Sequence, residues 1–145
     1  MQKITPFLWL DGKVEEAVKF YTSVFRNARV VNLNPMSAIF EIEGQEFMAL
    51  NGGPQFKFNE AVSFFIRCET QDEVDDYWSK LTADGGTESQ CGWLKDKFGL
   101  SWQVIPNELG RYLGDKDRAK AERVMRAMLK MKKIDIATLN TAYAG

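Results

Sequence analysis

The sequence has no histidine anywhere in its 145 residues. Histidine is the commonest general base and the commonest ligand for zinc, iron and nickel, so any chemistry here must run without it. Cysteine is scarce: only Cys68 and Cys91 are present. In a reducing compartment two such thiols are expected to stay free. No apolar run approaches the ~20 residues that span a bilayer. The start, Met1-Gln2-Lys3-Ile4-Thr5-Pro6, lacks the apolar stretch and small-residue cleavage site of a signal peptide. These absences lead to the expectation of a cytoplasmic protein with no membrane partner.

What is present is ordinary for a globular chain, with 45% hydrophobic and 27% charged residues. The length falls within the range of one domain able to bury a substantial core. Net charge is -1 but unevenly spread: residues 111–133 carry nine Lys/Arg against three acids, Asp115, Asp117 and Glu122. A basic segment on an acidic body invites a nucleic-acid reading. It lacks interleaved aromatics, and the expectation is a solvated or docked face with no nucleic-acid partner.

The organisation repeats. Residues 4–10 read as a strand broken by Asp11-Gly12, and Val14, Ala17, Val18, Tyr21, Val24 and Phe25 then recur at helical spacing, with Glu15, Glu16 and Lys19 opposite. Strand-like runs follow at about 28–33, 37–43 and 45–50, separated by Asn34-Pro35 and Gly44. After Asn51-Gly52-Gly53-Pro54 the order restarts: a strand over Ala61–Cys68, a capping box of Thr70 and Glu73, a helix carrying Val74, Tyr77, Trp78 and Leu81, and strands at about 87–91, 93–97 and 100–105. A shift of 55 lays Gly44–Leu50 on Gly99–Ile105, and a shift of 57 lays Glu15–Tyr21 on Asp72–Trp78. Two such overlays in the same order argue for duplication. From Asp115 a helical tail is expected, with an apolar stripe of Ala121, Val124, Met125, Met128 and Met131, and Asp135 as the cap of a last short helix.

Two strand–helix–strands units, with Phe20-Tyr21-Thr22-Ser23-Val24-Phe25 closing the first helix, resemble the vicinal-oxygen-chelate superfamily of glyoxalase I, extradiol dioxygenases and bleomycin-resistance proteins. The resemblance is to the PhnB-like branch, whose members are often labelled 3-demethylubiquinone-9 3-methyltransferase-like. It is carried by Phe7–Gly12, Glu46–Pro54, Cys91–Asp96 and Gly99–Pro106, and is read also in the tail stretch Ala127–Ile136. It implies an α+β fold: two βαβββ modules forming a curled mixed sheet with a cleft, plus a C-terminal helical tail. Within one domain, 1–145, module one covers about 1–53, module two about 60–106 and the tail about 107–145. By analogy with superfamily members it also implies a homodimer. The methyltransferase label finds no support in the residues, because no strand leads into a glycine-rich loop of the kind that binds S-adenosylmethionine.

Metal-dependent members place His or Glu on the first and last strands of each module. Here those places fall at Ile4 to Pro6, at Met48 or Ala49, at Ser63 and at Gln103. One neutral amide oxygen beside a hydroxyl and apolar side chains does not retain a transition metal against water. No metal and no cofactor are expected. Gln55 is a further departure, standing where relatives are expected to carry histidine. The leading expectation is a metal-independent protein that binds a small apolar or planar molecule in the cleft through Met48, Ser63, Phe65, Trp93 and Gln103, with Ser63 and Gln103 as polar anchors. Strand alternation turns Trp102 away from the cleft and into the core. The rival is a metal-independent isomerase, lyase or transferase-type enzyme using Cys91 or Asp96, a thiol and a carboxylate close to Lys95. A scaffold acting through the basic tail is the third possibility.

Overall fold

The computed structural model describes residues 2–145; Met1, first residue of the expected first module, lies outside the described residues. Two compact units result, Met1–Lys57 and Phe58–Gly145, so the tail belongs with the second.

In the first unit, β1 (Phe7–Leu10) leads to α1 (Val14–Val24), then to β2 (Ala28–Leu33), β3 (Ser37–Ile42) and β4 (Gln45–Asn51). The predicted stripe is the buried face of α1: Val14, Ala17, Val18, Tyr21 and Val24 all lie in the core. Lys13 at the N-cap has no capping side chain, and the Val14 N–H instead donates to Asn51 Oδ1 at 3.0 Å. A residue at the far end of the unit thus satisfies an orphan donor of the first helical turn. The sheet order is β1-β4-β3-β2, with β1 parallel to β4 and the rest antiparallel. Alternation is strict in β3: Ala38, Phe40 and Ile42 are buried while Ser37, Ile39 and Glu41 are half-buried. Tyr21 of the helix stacks on Phe40, which stacks on Phe47, so aromatic contacts bind helix to sheet.

The second unit repeats this plan with β5 (Ser63–Cys68), α2 (Gln71–Thr82), β6 (Thr87–Glu88), β7 (Trp93–Lys95) and β8 (Ser101–Pro106), in sheet order β5-β8-β7-β6. The two overlays found in the sequence correspond to real equivalences. Met48 pairs with Phe7, and its counterpart Gln103 pairs with Phe65, each on the last strand of its module against the first. The capping box forms with one change: the Glu73 N–H donates to Thr70 Oγ1, but Glu73 Oε1 accepts from the Glu69 N–H rather than from Thr70.

β6 and β7 are shorter than the periodicity suggested, for a local reason at each end. Cys91 (φ 59°) and Gly92 (φ 85°) both take left-handed backbone, which strands do not accommodate. On the other side the Asp96 carboxylate gathers the N–H groups of Phe98 and Leu100 into a turn.

The tail contains α3 (Asn107–Leu113), α4 (Arg118–Met128) and α5 (Ile136–Ala144). It builds a satellite core of Ile105, Leu109, Val124, Ile134 and Leu139, against which Met128 and Met131 pack, whereas Met125 is largely exposed. Asp117 caps α4. Asp135 sits at the N-cap of α5, yet its carboxylate accepts only from Thr138 Oγ1. The Ile136 N–H goes to Gln71 Oε1 at 2.8 Å, so the last helix is capped by a side chain of α2. Gln71 also donates to the Ile134 carbonyl, Lys133 pairs with Asp75 at 2.8 Å, and the Cys91 and Gly92 N–H groups reach the Met131 and Lys132 carbonyls, both at 2.8 Å.

Candidate functional site

Four of the five expected ligand contacts come together on one face of the second sheet. Side chains of registered partners share a face, as do residues two apart on a strand. Phe65 on β5, Gln103 on β8 and Trp93 on β7 are registered partners, so they form one row across three strands. Ser63 stands two residues before Phe65 on the same face, and the Gln103 side-chain amide donates to its hydroxyl at 3.0 Å. Phe65 is about half exposed, and Trp93 and Gln103 are half-buried. Met48 takes the corresponding place in the first unit, half-buried between registered partners Phe7 and Ile39.

A second row lies beside the first. Ser63, Ser101, Lys95 and Thr87 are successive partners across β5, β8, β7 and β6. Ser101 was not singled out from the sequence, although it stands two residues before Gln103 and so must face the same way. It is fully buried, and its Oγ finds no hydrogen-bond partner among the described residues. A groove of about 340 Å³ opens here, lined by Ser101, Lys95, Thr87 and Trp93 together with Glu60, Glu88, Ser89 and Leu94. That volume is at the small end of ligand pockets and suits a single or fused ring system. Glu60, on the loop before β5, pairs with Lys95 Nζ at 2.5 Å and is exposed. That ion pair, by hydrogen bond first and charge second, holds the Glu60 carboxyl below its usual range.

The opposite face holds the core. Trp102 is buried, edge-on to Phe64, and donates its indole N–H to Asp96 Oδ2 at 2.9 Å. With the Phe98 and Leu100 N–H groups this gives the buried Asp96 carboxylate three donors. A base must offer a lone pair to substrate, and these lone pairs serve the β7–β8 turn and the core. Cys91 lies in the left-handed turn before β7, partly exposed, its N–H held by the tail. The other thiol, Cys68, is buried on β5 and pushed up to about 12, chiefly by burial and then by the Glu73 charge.

Trp9 has a local task of its own. Its indole lies against Gly52, where a Cβ would meet ring carbons at 2.3 Å, and its N–H donates to the Gly53 carbonyl at 2.9 Å. Phe56 meets it edge-on at 5.0 Å. Glycine at 52 is thus what lets the loop after β4 fold over the first strand.

The superfamily's divalent metal does not fit these residues. Ser63 and Gln103 spend a hydrogen bond on each other, Met48 offers a thioether, and Ile4 to Pro6 offer no charged donor. Among the described residues no three His, Cys, Asp or Glu side chains gather where an ion would be held.

A sequence model of a family described as 3-demethylubiquinone-9 3-methyltransferase matches residues 2–105. The tail stretch 127–136 lies outside that match. Among solved structures, a PhnB protein from Bacillus cereus is 35% identical, with 72% of this chain and 99% of that one covered at a TM-score of 0.67. Protein PA1353 from Pseudomonas aeruginosa is 18% identical over 73% of this chain and 98% of that one, at a TM-score of 0.58. The fosfomycin resistance protein FosX from Listeria monocytogenes is 14% identical over 74% and 93%, at a TM-score of 0.56. The last two share the fold alone. No curated protein matches the chain significantly. With the model covering most of its length and the Bacillus cereus protein a third identical, the chain belongs to the 3-demethylubiquinone-9 3-methyltransferase-like, or PhnB-like, family of the glyoxalase fold.

Proposed function

We propose that the protein binds a small, planar, largely apolar molecule without a metal, on the face of the second sheet that carries Ser63, Phe65, Trp93 and Gln103. The observation that carries this reading is the Gln103 to Ser63 hydrogen bond at 3.0 Å. It orients a pair of polar groups beside two aromatic rings of the same row, leaving the Ser63 O–H and the Gln103 carbonyl oxygen to meet a ligand. Few, oriented polar groups among aromatic surface is how ligand sites obtain both affinity and orientation. Met48, at the matching place in the first module, is proposed as an apolar ligand contact there.

Binding rather than catalysis is favoured by Asp96, whose carboxylate is occupied by three donors within the fold. The same reading takes the protein as a cytoplasmic homodimer, supported by the pairing habit of the superfamily. Among the described residues no helix is long and apolar enough to cross a membrane. Native mass spectrometry of protein purified without chelators tests the proposal. A retained small molecule supports it, and stoichiometric zinc, nickel or iron would sink the metal-independent reading. Cys91→Ser is expected to leave binding intact.

A further inference from the structure

The two parallel rows of the second sheet differ in chemistry. One is Phe65, Gln103, Trp93: ring, amide, ring. The other is Ser63, Ser101, Lys95, Thr87: three hydroxyls and one ammonium, every one a hydrogen-bond donor. The strand residues of this face also include Arg67, two beyond Phe65, whose guanidinium lies 5.5 Å from the Phe65 ring centre. They include no Asp or Glu. Glu88, the acid on β6, is registered with Leu94 and also lines the groove, but its Oε1 is engaged by Trp78 Nε1 at 2.6 Å.

The strand residues of this face are therefore cationic, and of the two carboxylates at the groove, Glu60 and Glu88, it is Glu60, from outside the sheet, that pairs with Lys95. Glu60 reaches in from the loop before β5 to pair with Lys95, with more than half of its side chain exposed. An exposed pair of this kind contributes little to stability, so a ligand anion can take the place of its loop-borne member at small cost. Lys95 is carried by a strand that is paired on both sides. Beside it is Ser101, a fully buried hydroxyl with no partner among the described residues, on the wall of the groove. A buried polar group left unmade costs free energy that a ligand atom would recover.

We infer, building on the ligand-binding reading above, that the groove takes an aromatic carboxylate. Its ring lies against Trp93, and its carboxylate displaces Glu60 from Lys95 and accepts from the Ser101 and Thr87 hydroxyls. Glu60 is the stand-in that occupies the anion's place until the ligand arrives. Charge-assisted bonds to a carboxylate are about twice as strong as neutral ones, which gives the groove its preference over an uncharged ring of the same shape.

Three matched probes test this by titration of the full chain, with amide and indole NMR shifts as the readout: 2-naphthoate, 2-naphthamide and 2-naphthylmethylamine. The naphthoate is expected to bind about tenfold more tightly than either analogue, weakening as salt is raised and shifting Trp93, Lys95, Ser101 and Thr87. Glu60→Gln is expected to tighten naphthoate by about threefold by removing the internal competitor, and Lys95→Met and Ser101→Ala each to weaken it by about tenfold. Glu60 is on the surface, so its variant keeps the test valid if either of the others folds poorly. Equal or tighter binding of the amide or the amine, with shifts at Ser63 and Gln103, overturns the carboxylate while leaving a small-molecule site standing. Unchanged naphthoate affinity in Glu60→Gln overturns the stand-in role. Absence of shifts on this face with all three probes overturns both the carboxylate and the site.

Discussion

Gln103 on β8 and Ser63 on β5 are joined by a side-chain hydrogen bond of 3.0 Å, across the parallel pair formed by the first and last strands of the second module. The bond makes the two residues a unit. In a double-mutant cycle, Ser63→Ala and Gln103→Ala are expected to couple by about 0.5–1.5 kcal/mol in urea unfolding. Additive effects would mean that the two groups act separately.

Gly92 and Gly99 both have φ near +85°, but only one is crowded. A Cβ at Gly92 would meet Ile105 Cδ1 at 2.6 Å and the Val104 carbonyl at 3.0 Å, whereas nothing lies within 4 Å at Gly99. Gly99→Ala is expected to cost only the left-handed backbone term, about 1–2 kcal/mol. Gly92→Ala adds overpacking of about 1–3 kcal/mol and loosens the satellite core. Chemical denaturation of the two variants side by side checks the ranking.

Gln71 binds the tail at two points, the Ile134 carbonyl and the Ile136 N–H. Gln71→Ala is expected to destabilise the docked tail by about 1–3 kcal/mol. It should also raise hydrogen exchange at the Ile136 amide while leaving the amides of β3 protected. Gln71→Glu keeps the acceptor for Ile136 but sets a carboxylate against the Ile134 carbonyl and Asp75, to both of which Gln71 donates at 3.0 Å, so it is expected to cost at least as much as the alanine.

Asp96→Asn removes a charge that the Trp102 indole and two backbone N–H groups share in the β7–β8 turn. Its cost should appear as stability, about 2–3 kcal/mol, with ligand affinity unchanged once the variant is folded. A loss of affinity or turnover without loss of stability would restore Asp96 as a reacting group.

Cys68 gives a pH signature. Its thiol is pushed up to about 12 in the fold, against roughly 8.5 in an unfolded chain. Above the unfolded value the unfolded state binds fewer protons than the native state, so this contribution to stability is complete below about pH 8.5 and declines towards about 12. Cys68→Ala is expected to reduce the loss of stability between about pH 8 and 10.5, read from unfolding midpoints.

Much of the fold was legible because it rests on periodicity. Val14, Ala17, Val18 and Tyr21 repeat at the helical interval, and all four are buried on α1. The candidate site was legible in part for the same reason: alternation put Ser63, Phe65 and Gln103 on one face and Trp102 on the other. Ser101 was missed, though the same alternation places it, because a serine carries no pattern until its burial and its empty hydrogen-bonding are seen. Glu60 and Thr87 were missed because their relevance depends on their partner Lys95, through an ion pair with a loop residue and through β6–β7 register.

By itself, the sequence determined most of the secondary structure, the repeat, the family and the absence of an imidazole donor set, since each depends on local spacing or residue type. Tertiary structure decided who partners whom. Asn51 caps α1, Gln71 caps α5, Asp96 serves the core, and Ser63, Ser101, Lys95 and Thr87 stand in one row. The Asn51, Gln71 and Ser63–Ser101 pairings join residues far apart in sequence, and only the tertiary fold brings such residues together.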